Sequence, residues 1–233
     1  MLKRRNFILI FFVICLGLLI WRGPAQLMTD LQAGLASIIP IERPLTLARL
    51  NAPPEIDPAC LGRLGGMPKV QIRGSSDFVQ QETCVVAGAL YADRLADLPF
   101  SPQGPLMRCE VADPLRAWLE QAVKPAARQH LKTEIVTVGH LGTYNCRTIT
   151  SGSAVLSQHS FANAIDIAWF ELADGRQIKL ADGWSHEDES IQKFWRQIHR
   201  LSCTYFDVSL SPNYDTAHHD HFHFDMGPYN ICR

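Results

Sequence analysis

The chain has 233 residues, of which 47% are hydrophobic and 19% charged, so it can bury one substantial core and is neither disordered nor fibrous. Its formal net charge of -1 excludes a global basic field that would attract nucleic acid or acidic lipid. Partners must therefore be recognised locally.

At the N-terminus, Lys3, Arg4 and Arg5 precede an apolar run from Phe7 to Trp21. A basic segment followed by an apolar one directs export and leaves the N-terminus in the cytoplasm. Fifteen helical residues span about 22 Å against a hydrocarbon core of about 30 Å, so anchor and signal peptide both remain open. Gly23-Pro24-Ala25 favours cleavage, whereas Trp21 and Arg22 suit a membrane–water interface and favour an uncleaved anchor. Ile14 stands before Cys15 where lipoprotein processing needs a small residue. The expected location is periplasmic, anchored to the inner membrane by residues 1–23 or secreted after cleavage. Residues 24–59 carry Pro40, Pro44, Pro53, Pro54 and Pro58 and read as a semi-rigid spacer, with the folded domain over residues 60–233.

In that domain Val70 to Arg73 alternates as a strand, and Cys84 to Ala96 is compatible with a helix, although Val85 and Val86 leave a strand start open. Asp113 as cap and Pro114 at the first helical position predict a helix from there to about His130, bent at Pro125. Strands are predicted over 134–138 and 164–170, the second followed by a turn at Ala173 to Arg176. Ile191, Phe194, Trp195, Ile198 and Leu201 mark an amphipathic helix that ends before Cys203, and Tyr205 to Val208 reads as a further strand. The class predicted is α+β, with a small antiparallel sheet flanked by helices.

Beyond Cys15, six cysteines remain (Cys60, Cys84, Cys109, Cys146, Cys203 and Cys232), without a Cys-x-x-Cys pair. In an exported domain they read as three disulfides rather than a zinc ribbon or redox site. Pairing of sequence neighbours gives Cys60–Cys84, Cys109–Cys146 and Cys203–Cys232.

Four of the nine histidines fall in His218-His219-Asp220-His221-Phe222-His223-Phe224-Asp225. In an extended segment His221, His223 and Asp225 share one face while Phe222 and Phe224 take the other. Asp166 sits amid apolar residues in the run Ala164 to Phe170 and needs a compensating cation. A divalent ion held by His159, Asp166 and His223 would supply it, with a fourth position open as in a catalytic zinc site. Asp225 is expected as a strand-end hydrogen-bond acceptor rather than a fourth ligand. His130, His140, His186 and His199 stand alone and read as surface or core residues.

Cys109-Glu110-Val111-Ala112-Asp113-Pro114-Leu115, Tyr144-Asn145-Cys146-Arg147, Ser157-Gln158-His159 with Ala164-Ile165-Asp166-Ile167, and the histidine run together resemble the extensin-like C-terminal domain of bacterial envelope proteins. That family in turn resembles the LAS group of zinc peptidases, which includes D-Ala-D-Ala carboxypeptidases and penicillin-insensitive murein endopeptidases. The resemblance implies an LAS/Hedgehog-like fold, a zinc ion on His159, Asp166 and His223, and His218 and His221 beside it. It also matches Arg147 to an arginine that contacts peptide carboxylate or carbonyl. The group usually has Gly between its ligands where this chain has Ala162, and its carboxypeptidase branch has Glu where this chain has Asp220.

His221, two residues before a ligand, is the first choice for general base or acid, with Asp220 second. His218 is expected to orient a ligand or the attacking water, and Arg147 to hold a substrate carboxylate. The function expected is zinc-dependent hydrolysis of peptide bonds in peptidoglycan stems or cross-links. The alternative keeps the metal without the reaction, as a zinc-stabilised wall-binding or interaction module.

Overall fold

The computed structural model describes residues 46–150 and 153–233, which belong to one compact unit, Leu45–Arg233. The apolar run from Phe7 to Trp21 and the first part of the spacer lie outside the described residues. No helix among the described residues is long and apolar enough to cross a membrane.

The described residues open with two short helices, α1 (Leu47–Leu50) and α2 (Cys60–Gly65). Six strands follow: β1 (Gln71–Gly74), β2 (Phe78–Gln80), β3 (Cys84–Val86), β4 (Ala89–Leu95), β5 (Leu98–Ser101) and β6 (Leu106–Arg108). The helix-compatible stretch from Cys84 is thus two strands. Gly88, at φ +65°, breaks the segment between them, and β4 is buried along much of its length. Apolar content alone does not separate a buried strand from a helix.

Helix α3 (Cys109–Trp118) begins a turn earlier than Asp113-Pro114 predicted, and Pro114 falls inside it. Burial of Cys109, Val111 and Ala112 and the disulfide at Cys109 hold that first turn in place. The helical path continues to Leu131, with wide π turns at Leu119–Val123 and Ala127–Leu131 on either side of Lys124–Ala126, which contains Pro125. Next come β7 (Ile135–Gly142), a 3₁₀ turn at Gln158–Phe161, β8 (Ala164–Leu172) and β9 (Gln177–Lys179). Gly175, at φ +85°, makes the β8–β9 turn. Then α4 (Leu180–Gly183) leads to α5 (Glu189–Ser202), whose first turn is capped by the Asp188 carboxylate accepting from the Ser190 amide. The strand expected at Tyr205 starts later, as β10 (Val208–Leu210), because Thr204 and Tyr205 still turn out of α5. Finally come β11 (Phe222–Asp225) and β12 (Ile231–Cys232).

The α+β class holds, but the sheet is not small. Ten strands join in it, in the order β1-β4-β5-β7-β8-β11-β10-β12, with β6 beside β4 and β9 beside β8. Pairing is antiparallel except for β5 with β7 and β10 with β12. The first-half strands extend the sheet, which is why it outgrew an expectation drawn from the second half alone. Helices α3 and α5 pack on one face, where the Trp118 indole N–H donates to the Ile198 carbonyl at 2.9 Å. Trp118 meets Phe224 edge-on at 5.0 Å, and Phe206 stacks on Phe224 at 4.5 Å. That apolar side takes Ile165, Ile167, Phe222 and Phe224 and leaves Asp166, His223 and Asp225 on the opposite side of β8 and β11.

The disulfides are Cys60–Cys109, Cys84–Cys146 and Cys203–Cys232, so the count and the last pair agree with the sequence reading and the first two pairs do not. Tertiary packing decides them. Cys60 opens α2 and Cys109 opens α3, while Cys84 starts β3 beside the loop where Tyr144 meets Phe78 and donates to Gln80.

Candidate metal centre

Strands β8 and β11 pair so that Asp166 lies directly opposite His223. Their neighbours Ile165, Ile167, Phe222 and Phe224 are fully buried on the helix side, which turns the carboxylate and the imidazole together to the other face. His159 comes from the 3₁₀ turn, capped by the Ser157 hydroxyl accepting from the His159 amide at 3.3 Å. That turn ends at Ala162 with φ +53°, the left-handed region that glycine occupies more easily. Ala162 is nonetheless fully buried, packed with Val86 and Ala89, and its carbonyl accepts from the Arg108 amide at 2.8 Å.

The three predicted ligands converge, with one donor atom from each lying within 4.8 Å of the others. His159 Nε2 is 3.2 Å from His223 Nδ1 and 3.2 Å from Asp166 Oδ2, and His223 Nδ1 is 2.9 Å from Asp166 Oδ1. Ligands about 2.0–2.1 Å from a tetrahedral zinc stand roughly 3.3 Å apart, so the spacings fit that ion.

The outward nitrogens are fixed as well. His159 Nδ1 lies 3.2 Å from the Thr143 carbonyl, and His223 Nε2 lies 2.9 Å from Asp225 Oδ2. Both partners only accept, so each ring, when neutral, spends its N–H outward and leaves its inward nitrogen with a lone pair toward the other ring and Asp166. Two such lone pairs 3.2 Å apart beside a carboxylate would repel, and a proton or a metal ion between them relieves this. Burial by itself would raise the Asp166 pKa, but hydrogen bonds with His159 and His223 outweigh it and hold the carboxyl well below the usual carboxylate range. Burial likewise disfavours charge on His223, but Asp166 and Asp225 overcome it and lift its pKa to about 9. A proton at this point does electrostatically what a metal ion would do.

Asp225 acts as the expected acceptor. Besides His223 it takes the Gly227 amide at 2.7 Å, and a Cβ at Gly227 would sit 2.8 Å from Asp225 Oδ1 and 2.9 Å from the Gln158 side chain. Neither Thr143 nor Gly227 stood out in the sequence. A backbone carbonyl and a close approach leave no residue-type signal.

Residues 58–233 match the family model described as extensin-like protein C-terminus. The chain belongs to that family. No characterised protein and no solved structure matches it.

A cavity of about 400 Å³ opens over the centre of this extensin-like domain, and Arg147, His218 and His221 line it together with Asp166 and His223. His221 Nε2 is 3.6 Å from Asp166 Oδ1, while its Nδ1 is 2.8 Å from Asp220 Oδ1. Asp220 does not line the cavity; it stands behind His221 and bonds its far nitrogen. His218 Nδ1 is 2.6 Å from Asp215 Oδ1, and the His218 ring packs against His221 and His223. Burial lowers the His218 pKa although Asp215 opposes it. Asp215, unpredicted, also accepts from the Ala217 and His218 amides. Arg147 spends one guanidinium nitrogen on its own neighbours, the Thr148 and Ile149 carbonyls at 3.1 and 3.2 Å. His219 is exposed and outside the cavity.

A second cluster, His199 with Cys203 and Cys232, offers no thiolate because the two sulfurs are bonded to each other. His130 Nε2 donates to Gln197 Oε1, and His140 bonds the Pro102 carbonyl, both away from ligand roles.

Proposed function

We propose that this extensin-like chain is a zinc-dependent hydrolase of the bacterial envelope that cleaves peptide bonds in peptidoglycan stems or cross-links. The observation that carries the proposal is the convergence of two imidazole nitrogens and the Asp166 carboxylate, a donor set of two nitrogens and one oxygen under an open cavity. A kinship with the LAS zinc peptidases is part of this reading and rests on the positions of His159, Asp166, His218, His221 and His223. Three disulfides suit an oxidising compartment, which supports a periplasmic location with residues 1–23 as membrane anchor or cleaved signal.

The chemistry supplied by such an ion is Lewis acidity, which acidifies water and polarises a carbonyl. His159, Asp166 and His223 would hold it. His221, with Nδ1 held by Asp220 and Nε2 turned to the centre, takes the proton of the attacking water and returns it to the leaving amine. Asp220 thereby orients the base rather than acting as one. His218, fixed through Nδ1 by Asp215 and sparingly basic, turns an accepting Nε2 away from Asp215 and orients the attacking water. Arg147, at the rim, keeps donors free for a substrate carboxylate.

Murein sacculi incubated with the purified chain, with zinc or with a chelator, test this directly. Release of muropeptides with new termini is expected only with zinc, and His221→Ala abolishes it while bound zinc stays stoichiometric. Full zinc content without any cleavage would instead assign a wall-binding or interaction module, a reading favoured by the partial engagement of Arg147 with its own backbone.

A further inference from the structure

Strand β11 has a second neighbour. On its other side β10 pairs with it so that Leu210 lies opposite His223 and Val208 opposite Asp225. Residues opposite each other in an antiparallel pair share a face, so both aliphatic side chains stand beside the ligand face. Strand β12 then pairs in parallel with β10 and sets Ile231 next to Val208. All three side chains line the cavity, as do Tyr214 and Tyr229.

The cavity thus has two unlike walls. Asp166, His223, His218, His221 and Arg147 make a polar one, and Val208, Leu210 and Ile231 an apolar one. The apolar wall holds no spare donor. Because β10 lies between β11 and β12, its backbone groups are engaged on both edges. Ser209, alternating with Val208 and Leu210, points the other way and bonds Ser202 at 2.6 Å between hydroxyls. A charged side chain laid on this wall would lose water and gain no partner, whereas an aliphatic one loses nothing and buries apolar area.

We propose that Val208, Leu210 and Ile231 form a specificity subsite that takes a short or branched aliphatic side chain on the substrate residue flanking the scissile bond. The proposal rests on the metal-hydrolase reading and narrows it: bonds flanked by an alanine-like residue are cleaved, and bonds flanked on both sides by charged side chains are not. Specificity is set by the strand pairing that fixes the metal ligand, so the distance from metal to subsite is rigid.

Hydroxamic acids test the subsite apart from turnover, since the hydroxamate anchors on the metal and its substituent reports the wall. The probes are acetohydroxamate, isovalerohydroxamate and the carboxylate-ended succinic monohydroxamate, titrated into the zinc-loaded full chain. Isovalerohydroxamate is expected to bind about tenfold or more tighter than either of the others. Leu210→Asn, and separately the more exposed Ile231→Asn in case the first fails to fold, should cut that preference below about threefold. Equal affinity for acetohydroxamate and isovalerohydroxamate, or an unchanged preference in both folded variants, overturns the subsite while leaving the metal centre standing. Absence of bound zinc and of binding by any probe overturns the hydrolase reading and the subsite with it.

Discussion

Asp225→Asn probes the tautomer argument on which the proposed metal binding depends. The native carboxylate accepts twice, from His223 Nε2 at 2.9 Å and from the Gly227 amide at 2.7 Å. Asparagine has the same shape but one acceptor oxygen and one NH₂ donor. If the oxygen keeps Gly227, the NH₂ faces His223 Nε2, which must then become the acceptor. The ring N–H moves to Nδ1, the atom turned to His159 and Asp166. Binding zinc now requires an unsatisfied contact at Nε2 or a flipped amide that strands the Gly227 N–H. Outer partners of this kind are worth about 10–100-fold in metal affinity, or about 1.4–2.7 kcal/mol. Competition against a chromophoric chelator measures the affinity. The thermal midpoint with and without zinc gives a second readout, because zinc at about 100 times Kd stabilises the native chain by about 2.7 kcal/mol. His223→Ala should abolish both signals and Asp225→Asn should weaken both. An Asp225→Asn affinity within twofold of the parent would refute the tautomer mechanism.

Burial of His199, which stacks on Phe222 at 5.2 Å, lowers its pKa to about 4. The unfolded chain then binds the extra proton first, so stability is fully present above about pH 6.5 and falls by about 3 kcal/mol as pH drops to about 4. Urea titrations across that window should show the slope, and His199→Gln should lack it; an equal slope in both would assign the loss to other groups. Asn51 holds the cavity wall through its side chain, accepting from the Leu156 amide and donating to the Ala154 carbonyl, both at 2.8 Å. Asn51→Ala is expected to cost about 1 kcal/mol and to raise hydrogen exchange in residues 153–157, and unchanged exchange there would show that the contact does not hold the wall. Cys84–Cys146 encloses a separation of 62 residues, so replacing both by alanine should cost about 4 kcal/mol, read by denaturant midpoint. Non-reducing peptide maps should recover Cys60 with Cys109, and a Cys60–Cys84 peptide would contradict the fold.

Where local periodicity carried the signal, the residues announced their roles. Alternation of His and Phe from His221 to Asp225 was enough to foresee which side faces the core, because a strand's side chains have a period of two whatever the strand pairs with. The lone carboxylate of Asp166 was legible for a similar reason, since an ionised group among isoleucines has to be compensated somewhere. The amphipathic α5 was likewise readable. Cys84 to Ala96 was not, because a strand buried along much of its length loses the alternation that distinguishes it.

From the sequence alone came the domain class, the candidate ligand set His159, Asp166 and His223, and an even set of cysteines to be paired. Tertiary structure decided the rest: the register that puts Asp166 across from His223 and Leu210 beside it, the partners of Cys60 and Cys84, and the placing of Asp220 behind His221. The division has one physical cause. A side chain's chemistry and its local periodicity are written residue by residue, whereas distances between segments tens of residues apart exist only once the strands have paired.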